Sequence, residues 1–332
     1  MKIFYPAYYN DFRCIAGACP DSCCKEWTVD VDPESAEMYR TLPGPLGDRL
    51  RQVLTDSEGA ITMRIENGRC PMWRLDGLCR IQAEHGHDAL CKTCRDFPRL
   101  RHDYDDFAEL DLELSCPEAA RLILSADPED LCVRDEPGGE PPQYDTQLMA
   151  TLLRSRNAVL SFLNDPRYPL PQALAAVLLY AYDVQQEIDG AETVSGTPQD
   201  RLAEIPTLDN TGDMRSIFAF LASLEILTPR WRDRLAQPPA PIVWCDQLRA
   251  LARYAVRRYW LQSVADYDLV CRAKFAIIAC LVVAALGGNP TENAQLFSKE
   301  IENDPDNVEA ILDGAYTAPA LTDANLLALL LP

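Results

Sequence analysis

This chain is short of histidine, of glycine-rich loops, of positive charge and of long apolar runs. Its histidines are His85, His87 and His102. No Gly-x-Gly-x-x-Gly follows an apolar strand and no Walker lysine is present, so an ordinary nucleotide-binding Rossmann or P-loop domain has no support. Lys and Arg number 31 against 51 Asp and Glu, a formal charge of −20. A chain so acidic lacks the cationic footprint that displaces counterions from nucleic acid, and it does not suit an anionic lipid surface. A lysine-bearing protein is an apt partner; plain solubility accounts for the charge equally well. The longest apolar run, Phe275 to Leu286, stops at Gly287-Gly288. It falls well short of the roughly 20 residues that span a bilayer and is expected as a buried helix. Met1-Lys2-Ile3-Phe4-Tyr5-Pro6 meets a proline before any apolar segment of useful length, so no secretion signal is expected. A cytoplasmic location with reduced thiols follows as the expectation, which disfavours a disulfide framework.

What the chain has in excess is cysteine: 13 in all. Cys14, Cys19, Cys23, Cys24, Cys70, Cys79, Cys91, Cys94 and Cys116 fall in the first 116 residues. Cys91-Lys92-Thr93-Cys94 is a Cys-x-x-Cys turn, which can aim two thiolates at one metal. Thiolates select soft or borderline metals, so zinc and an iron–sulfur cluster are both open. Cys19, Cys23, Cys91, Cys94 and Cys116 form the leading ligand set, with Cys14, Cys24, Cys70 and Cys79 as the remaining pool. Adjacent Cys23 and Cys24 would point to opposite faces of an extended strand, which makes them poor joint chelators of one ion. Nine thiols exceed one tetrahedral site and could fill two. Cys132, Cys245, Cys271 and Cys280 are expected as core or surface thiols. His85 and His87 precede Cys91 closely enough to reach the same site as ligand or proton carrier, and Glu84 is a further candidate base. Arg95 and Arg99 flank the turn that follows Cys94 and could offset cluster charge or hold a cofactor carboxylate; ion pairs with Asp96 or Asp103 are the plainer alternative.

The fold class expected is mainly α: a small irregular α+β cysteine domain with a metal or iron–sulfur site over residues 1–132, a Pro/Gly/acid-rich linker over 133–142, and an all-helical domain over 143–332. Asp32-Pro33-Glu34 reads as a helix start, followed by a second short helix over 46–54. A strand is expected at 61–65, a hairpin around Asp76-Gly77, a helix over 83–90 delivering Cys91, and a half-buried strand over 107–114 with its acids outward. Ser115-Cys116-Pro117-Glu118 has capping-box spacing, which would put Cys116 in a helix's first turn, where the dipole favours a thiolate. Helices are then expected at 144–163, 170–189, 213–227, 241–264, 267–286, 291–303, 307–316 and 321–331. Arg249, Arg253 and Arg257 stripe one helix face, which is read as solvated.

The motifs have an order of their own. Tyr9-x-x-Phe12-x-Cys14, Cys19-Pro20-Asp21-Ser22-Cys23-Cys24-x-x-Trp27, Cys70-Pro71-Met72 to Leu78-Cys79-x-Ile81, Leu90-Cys91-x-x-Cys94-Arg95-x-Phe97-Pro98-Arg99 and Ser115-Cys116-Pro117-Glu118-Ala119-Ala120-Arg121 together resemble the flagellin lysine-N-methylase family. The cysteine half is more loosely similar to small zinc- or iron-chelating domains with a Cys-Cys pair. The second half matches more weakly, at Phe297-Ser298-Lys299-Glu300-Ile301-Glu302 and Asn307, with Asn303 where the family often carries histidine. The resemblance implies S-adenosylmethionine-dependent N-methylation of flagellin lysines, with a 4Fe-4S cluster in the cysteine domain and flagellin as the protein partner. The radical hallmark of three cysteines spaced x3 then x2 is not present. The competing class is a non-enzymatic zinc- or iron-binding module joined to a helical interaction domain.

Overall fold

The computed structural model describes residues 1–25, 29–57, 59–128, 131–191, 196–207 and 211–331. Trp27 of the second motif lies outside them. Seven strands are described: β1 (Lys2–Tyr5), β2 (Val29–Asp30), β3 (Leu54–Ser57), β4 (Ala60–Met63), β5 (Arg99–Tyr104), β6 (Phe107–Leu112) and β7 (Cys132–Asp135). They form a four-stranded sheet in the order β5-β6-β1-β7 and a three-stranded sheet in the order β2-β4-β3. β1 runs parallel to β6 and antiparallel to β7. The strands at 2–5, 54–57, 99–104 and 132–135 are too short, too polar or too charged to announce themselves by periodicity.

Much of the local grammar holds. Asp32 caps the helix Pro33–Thr41, its Oδ1 accepting from the Ser35 N–H at 2.9 Å. The second helix spans Gly44–Val53. Arg74 and Leu78 close a turn in which Gly77 takes φ +80, a conformation that favours glycine. Phe275 to Leu286 is buried within the helix Val270–Ala285 and its C-terminal edge. The C-terminal helices occur at Thr146–Asn164, Leu170–Ile188, Met214–Leu221, Asp246–Tyr259, Val270–Ala285, Pro290–Phe297, Pro305–Thr317 and Asp323–Leu330. The helix Pro290–Phe297 continues as a π-helical turn over Ser298–Glu302.

Four local expectations are corrected. The helix expected over 83–90 begins earlier, at Arg80–His85, and ends at Gly86 with φ +86; a separate 3₁₀ turn, His87–Ala89, leads to Cys91. Strand β6 is not half-exposed. It lies between β5 and β1, and its acids turn inward because cations meet them: Arg156 grips Glu109 with two bonds of 2.6 and 2.7 Å, and Arg257 lies 3.5 Å from Asp111. No capping box forms at 115–118. Cys116 is itself the N-cap of Pro117–Ser125, while Glu118 turns away to bond Arg121 at 2.7 and 2.9 Å. The arginine stripe is not solvated. The helix Asp246–Tyr259 packs against Val270–Ala285, Pro117–Ser125 and Thr146–Asn164. Arg249 donates to the carbonyls of Leu163 and Tyr168, Arg253 to that of Ala126, and Arg257 to the Tyr8 hydroxyl.

The cores explain how the site is held. The main core joins Tyr8, Phe12, Phe107, Leu112, Leu114 and Ile123 to the C-terminal helices. It therefore draws side chains from both sides of the stretch expected as a linker, whose first residues belong to β7. A second, far smaller core comprises Val29, Val31, Tyr39, Leu46, Leu50, Val53, Met63, Met72, Ile81 and Leu90, with Cys70 and Cys91 among its buried members. Cysteine is thus structural material in the small core and absent from most of the large one.

Candidate functional site

An open cavity of about 280 Å³ lies where the small core meets the helices. Three stretches build its cysteine wall. The loop of residues 14–24 brings Cys14, Cys19, Cys23 and Cys24; the segment of residues 77–99 brings Cys79 and Cys94; the N-cap of Pro117–Ser125 brings Cys116. Cations Arg13, Lys25, Arg99 and Lys299 line the same cavity, with His87, Glu118 and Asn303. The Arg99 guanidinium sits 5.1 Å from the Phe12 ring centre, which fixes its approach. A second, more enclosed chamber of about 20 Å³ adjoins this wall, lined by Cys23, Cys24, Cys70, Cys79, Cys91 and Cys94 among Val29, Tyr39, Met63, Met72, Ile81 and Leu90.

The helical half holds the cysteine loops in register. Asp21 of the Cys19–Cys23 loop receives Lys299 Nζ at 3.1 Å and Gln295 Nε2 at 2.9 Å. The same Gln295 amide donates to the Ser115 carbonyl at 2.9 Å, next to Cys116. A single buried side chain thus braces two cysteine-bearing segments that are far apart in sequence. The opposite side is braced by Asp32, whose Oδ2 accepts from the Lys92 N–H at 2.7 Å and so caps the short helix Lys92–Asp96 that carries Cys94. Those two backbone donors, at Lys92 and Ser35, hold the Asp32 carboxyl down at about 2.

Electrostatics sort the thiols. Burial pushes Cys116 up to about 11, against the donors of its own helix start, and the thiols it faces are Cys19 and Cys14. The helix-start position was expected to favour a thiolate there; desolvation outweighs it. Burial likewise pushes Cys70 up to about 12 and raises Cys79; these two face each other, Cys24 and Cys91. Cys91 shares a hydrogen bond with Cys94 and is lowered to about 7, because the neighbouring S–H donates to its thiolate. Cys23 and Cys24 form a similar pair across a turn rather than an extended strand, so their sulfurs stay in contact. Among the described residues no three or more His, Cys, Asp or Glu side chains are drawn together closely enough to hold a single metal ion as they stand.

Of the leading ligand set, Cys19, Cys23, Cys94 and Cys116 line the open cavity, whereas Cys91 is buried behind it. From the remaining pool, Cys14, Cys24 and Cys79 reach the open cavity and Cys70 does not. His87 stands at the cavity; His85 and Glu84 are exposed outside its lining, and Glu84 lies 3.8 Å from Arg80. Arg99 lines the cavity, and Arg95 lies 3.8 Å from Asp96 instead. Sequence reasoning passed over Asp21, Lys25, Gln295 and Lys299. The one signal for Lys299 was the weak match at 297–302, most of which forms the π turn Ser298–Glu302, a helical irregularity frequent at functional sites.

Three relatives can be compared. The chain is 32% identical over 143 residues to the "Flagellar biosynthetic protein FliU" of Salmonella muenchen, covering 41% of this chain and 84% of that one. It is 32% identical over 143 residues to the "Lysine-N-methylase" of Salmonella typhimurium, and 31% identical over 149 residues to that of Salmonella choleraesuis. Each match covers 41% of this chain, and it spans only 35% of the length of either methylase. No family model matches the chain, and no solved structure matches it.

Proposed function

Because this chain belongs to the flagellin lysine-N-methylase family, we propose that it transfers methyl groups from S-adenosylmethionine to lysine side chains of a flagellin, at the open cysteine cavity, with an iron–sulfur cluster as its resident cofactor. The observation that supports this reading best is the convergence of Cys19, Cys23, Cys94 and Cys116 from three segments on one open cavity that also presents cations and a histidine. The donor set fits the group: the ligands are soft thiols, and about 280 Å³ is far more than one ion needs. Those four cysteines would hold the cluster, with Cys14 as an exposed alternative.

When bound, such a cluster would supply electron-carrying iron, and a position for a substrate group where three of those cysteines ligate and the fourth iron stays open. The chain's own residues do the rest. Arg99 and Lys25 offer positive charge to the carboxylate of the methionyl group. The target ammonium, ordinarily near 10.4, must lose a proton before it is a nucleophile, and His87 at the cavity is the group placed to take it. In direct displacement the new N–C bond forms as the C–S bond of the sulfonium breaks, and the thioether leaves with the electron pair. The proton held on His87 then passes to water.

Co-expression with flagellin and mass spectrometry of the flagellin tests the reading. Additions of one methyl mass on lysines, abolished by Cys116→Ser, are expected. Unmodified flagellin alongside protein that carries iron and sulfide would overturn the activity, and active protein without iron would overturn the cofactor.

A further inference from the structure

The nine thiols do not form one pool. Cys70 and Cys91 line only the smaller chamber, together with Cys24 and Cys79, whereas Cys14, Cys19 and Cys116 line only the open cavity. Cys116 faces Cys19 and Cys14, on the open side. Local structure produces this split. The isolated bridge between Trp73 and Cys79 folds the intervening loop so that Cys70 and Cys79 return to one place. The Cys70 N–H donates to the Cys24 carbonyl at 2.8 Å, which sets Cys24 beside them. Asp32, by capping Lys92–Asp96, pins Cys91 from the far side.

We propose that Cys24, Cys70, Cys79 and Cys91 form a second metal centre, one zinc ion that holds the small core together behind the wall of the open cavity. The chamber they share, about 20 Å³, is the size of a single occupant and too small for a multi-iron cluster. Its other walls are apolar side chains of the small core. Four thiolates around space for one ion are the pattern of structural zinc, whereas a catalytic centre keeps a position open. The energetic need is also plain. The small core is built from short strands and short helices, and cores of that size rarely hold without a disulfide or a metal. Among the described residues the sulfurs do not stand at bonding distance from one common point; ligation would draw them in, so that metal binding and folding of this unit become one event. Cys23, Cys24, Cys79 and Cys94 line both spaces and form the wall the two centres would share.

The test is metal analysis of the full chain purified without oxygen, for zinc, iron and acid-labile sulfide. The expected result is about one zinc per chain in addition to any iron. Cys70→Ser should lose zinc and keep the iron–sulfide absorbance, while Cys116→Ser should do the reverse. Because Cys70→Ser can fail to fold, zinc-edge X-ray absorption of the unaltered protein provides an independent reading, expected to show four sulfur neighbours at about 2.3 Å. Iron-loaded protein without zinc, or nitrogen and oxygen neighbours around the zinc, would overturn the second centre. Loss of zinc and iron together from soluble, folded Cys70→Ser would show one shared centre and also overturn it. Zinc on four sulfurs in a chain that never takes up iron would uphold this centre and sink the cluster proposed above.

Discussion

Lys299 and Asp21 meet at 3.1 Å, joining the π turn of the helical half to the loop between Cys19 and Cys23. Gln295, one turn earlier, bonds the same carboxylate and the carbonyl beside Cys116. Two ligand-bearing loops with little regular structure of their own are therefore set by the helices.

Replacing Gln295 tests that brace. Gln295→Leu deletes both bonds and leaves the Ser115 carbonyl and part of the Asp21 carboxylate short of donors. Buried unsatisfied groups cost about 1–3 kcal/mol each. A drop in urea midpoint of that size, with faster amide exchange over residues 19–24, is expected. Unchanged stability and unchanged exchange would show that the brace carries no weight.

The Arg156–Glu109 pair is buried, with the arginine 3% exposed. Arg156→Met strands Glu109 beneath the sheet, and breaking a buried pair from one side costs about 3–5 kcal/mol. Arg156→Met combined with Glu109→Gln should recover a substantial part of the loss, because the uncompensated charge is gone. Chemical denaturation of the three variants measures this; equal losses in single and double variants would contradict it.

His102 is half-buried, and desolvation together with the nearby Arg258 charge lowers its pKa. The unfolded chain therefore binds a proton there more readily than the folded one. The resulting stability is present above the unfolded value near 6.5 and is lost as pH falls below it. His102→Gln should flatten the stability–pH curve below about pH 6.5 while leaving its slope above pH 7 alone. An unaltered slope in the lower window would show that His102 protonates equally in both states.

Asp32 serves two helices at once, through Ser35 and Lys92. Asp32→Ala should cost about 1–2 kcal/mol, near the upper end for a single cap. It should also lower metal content at the Cys91–Cys94 turn, which metal analysis reads directly. Full metal content in a destabilised variant would confine Asp32 to helix capping.

With a net charge of −20, recognition of a lysine-bearing protein should weaken as salt rises. The expected readout is a KM for flagellin that climbs between low and physiological ionic strength while kcat changes little. A salt-independent KM would place the charge outside recognition.

The sequence by itself determined the helices and their starts, since propensity and capping are local: Asp32 before Pro33, Asp145 before Thr146 and Asn289 before Pro290 each accept from the first turn as their side-chain chemistry requires. It also supplied the cysteine positions and hence the class of chemistry. Tertiary structure decided the rest. β1 pairs with β7 across most of the first half of the chain, a contact no local pattern encodes. Arg249, Arg253 and Arg257 carry the spacing of a solvated face, yet they are turned inward because carbonyls and a tyrosine from other segments await them. Which thiols face one another was likewise decided by long-range packing. Spacing brings Cys91 to Cys94, but the bond from the Cys70 N–H to the Cys24 carbonyl and the Gln295 brace set Cys70 and Cys91 on the inner chamber, Cys14, Cys19 and Cys116 on the open cavity, and the other four on both.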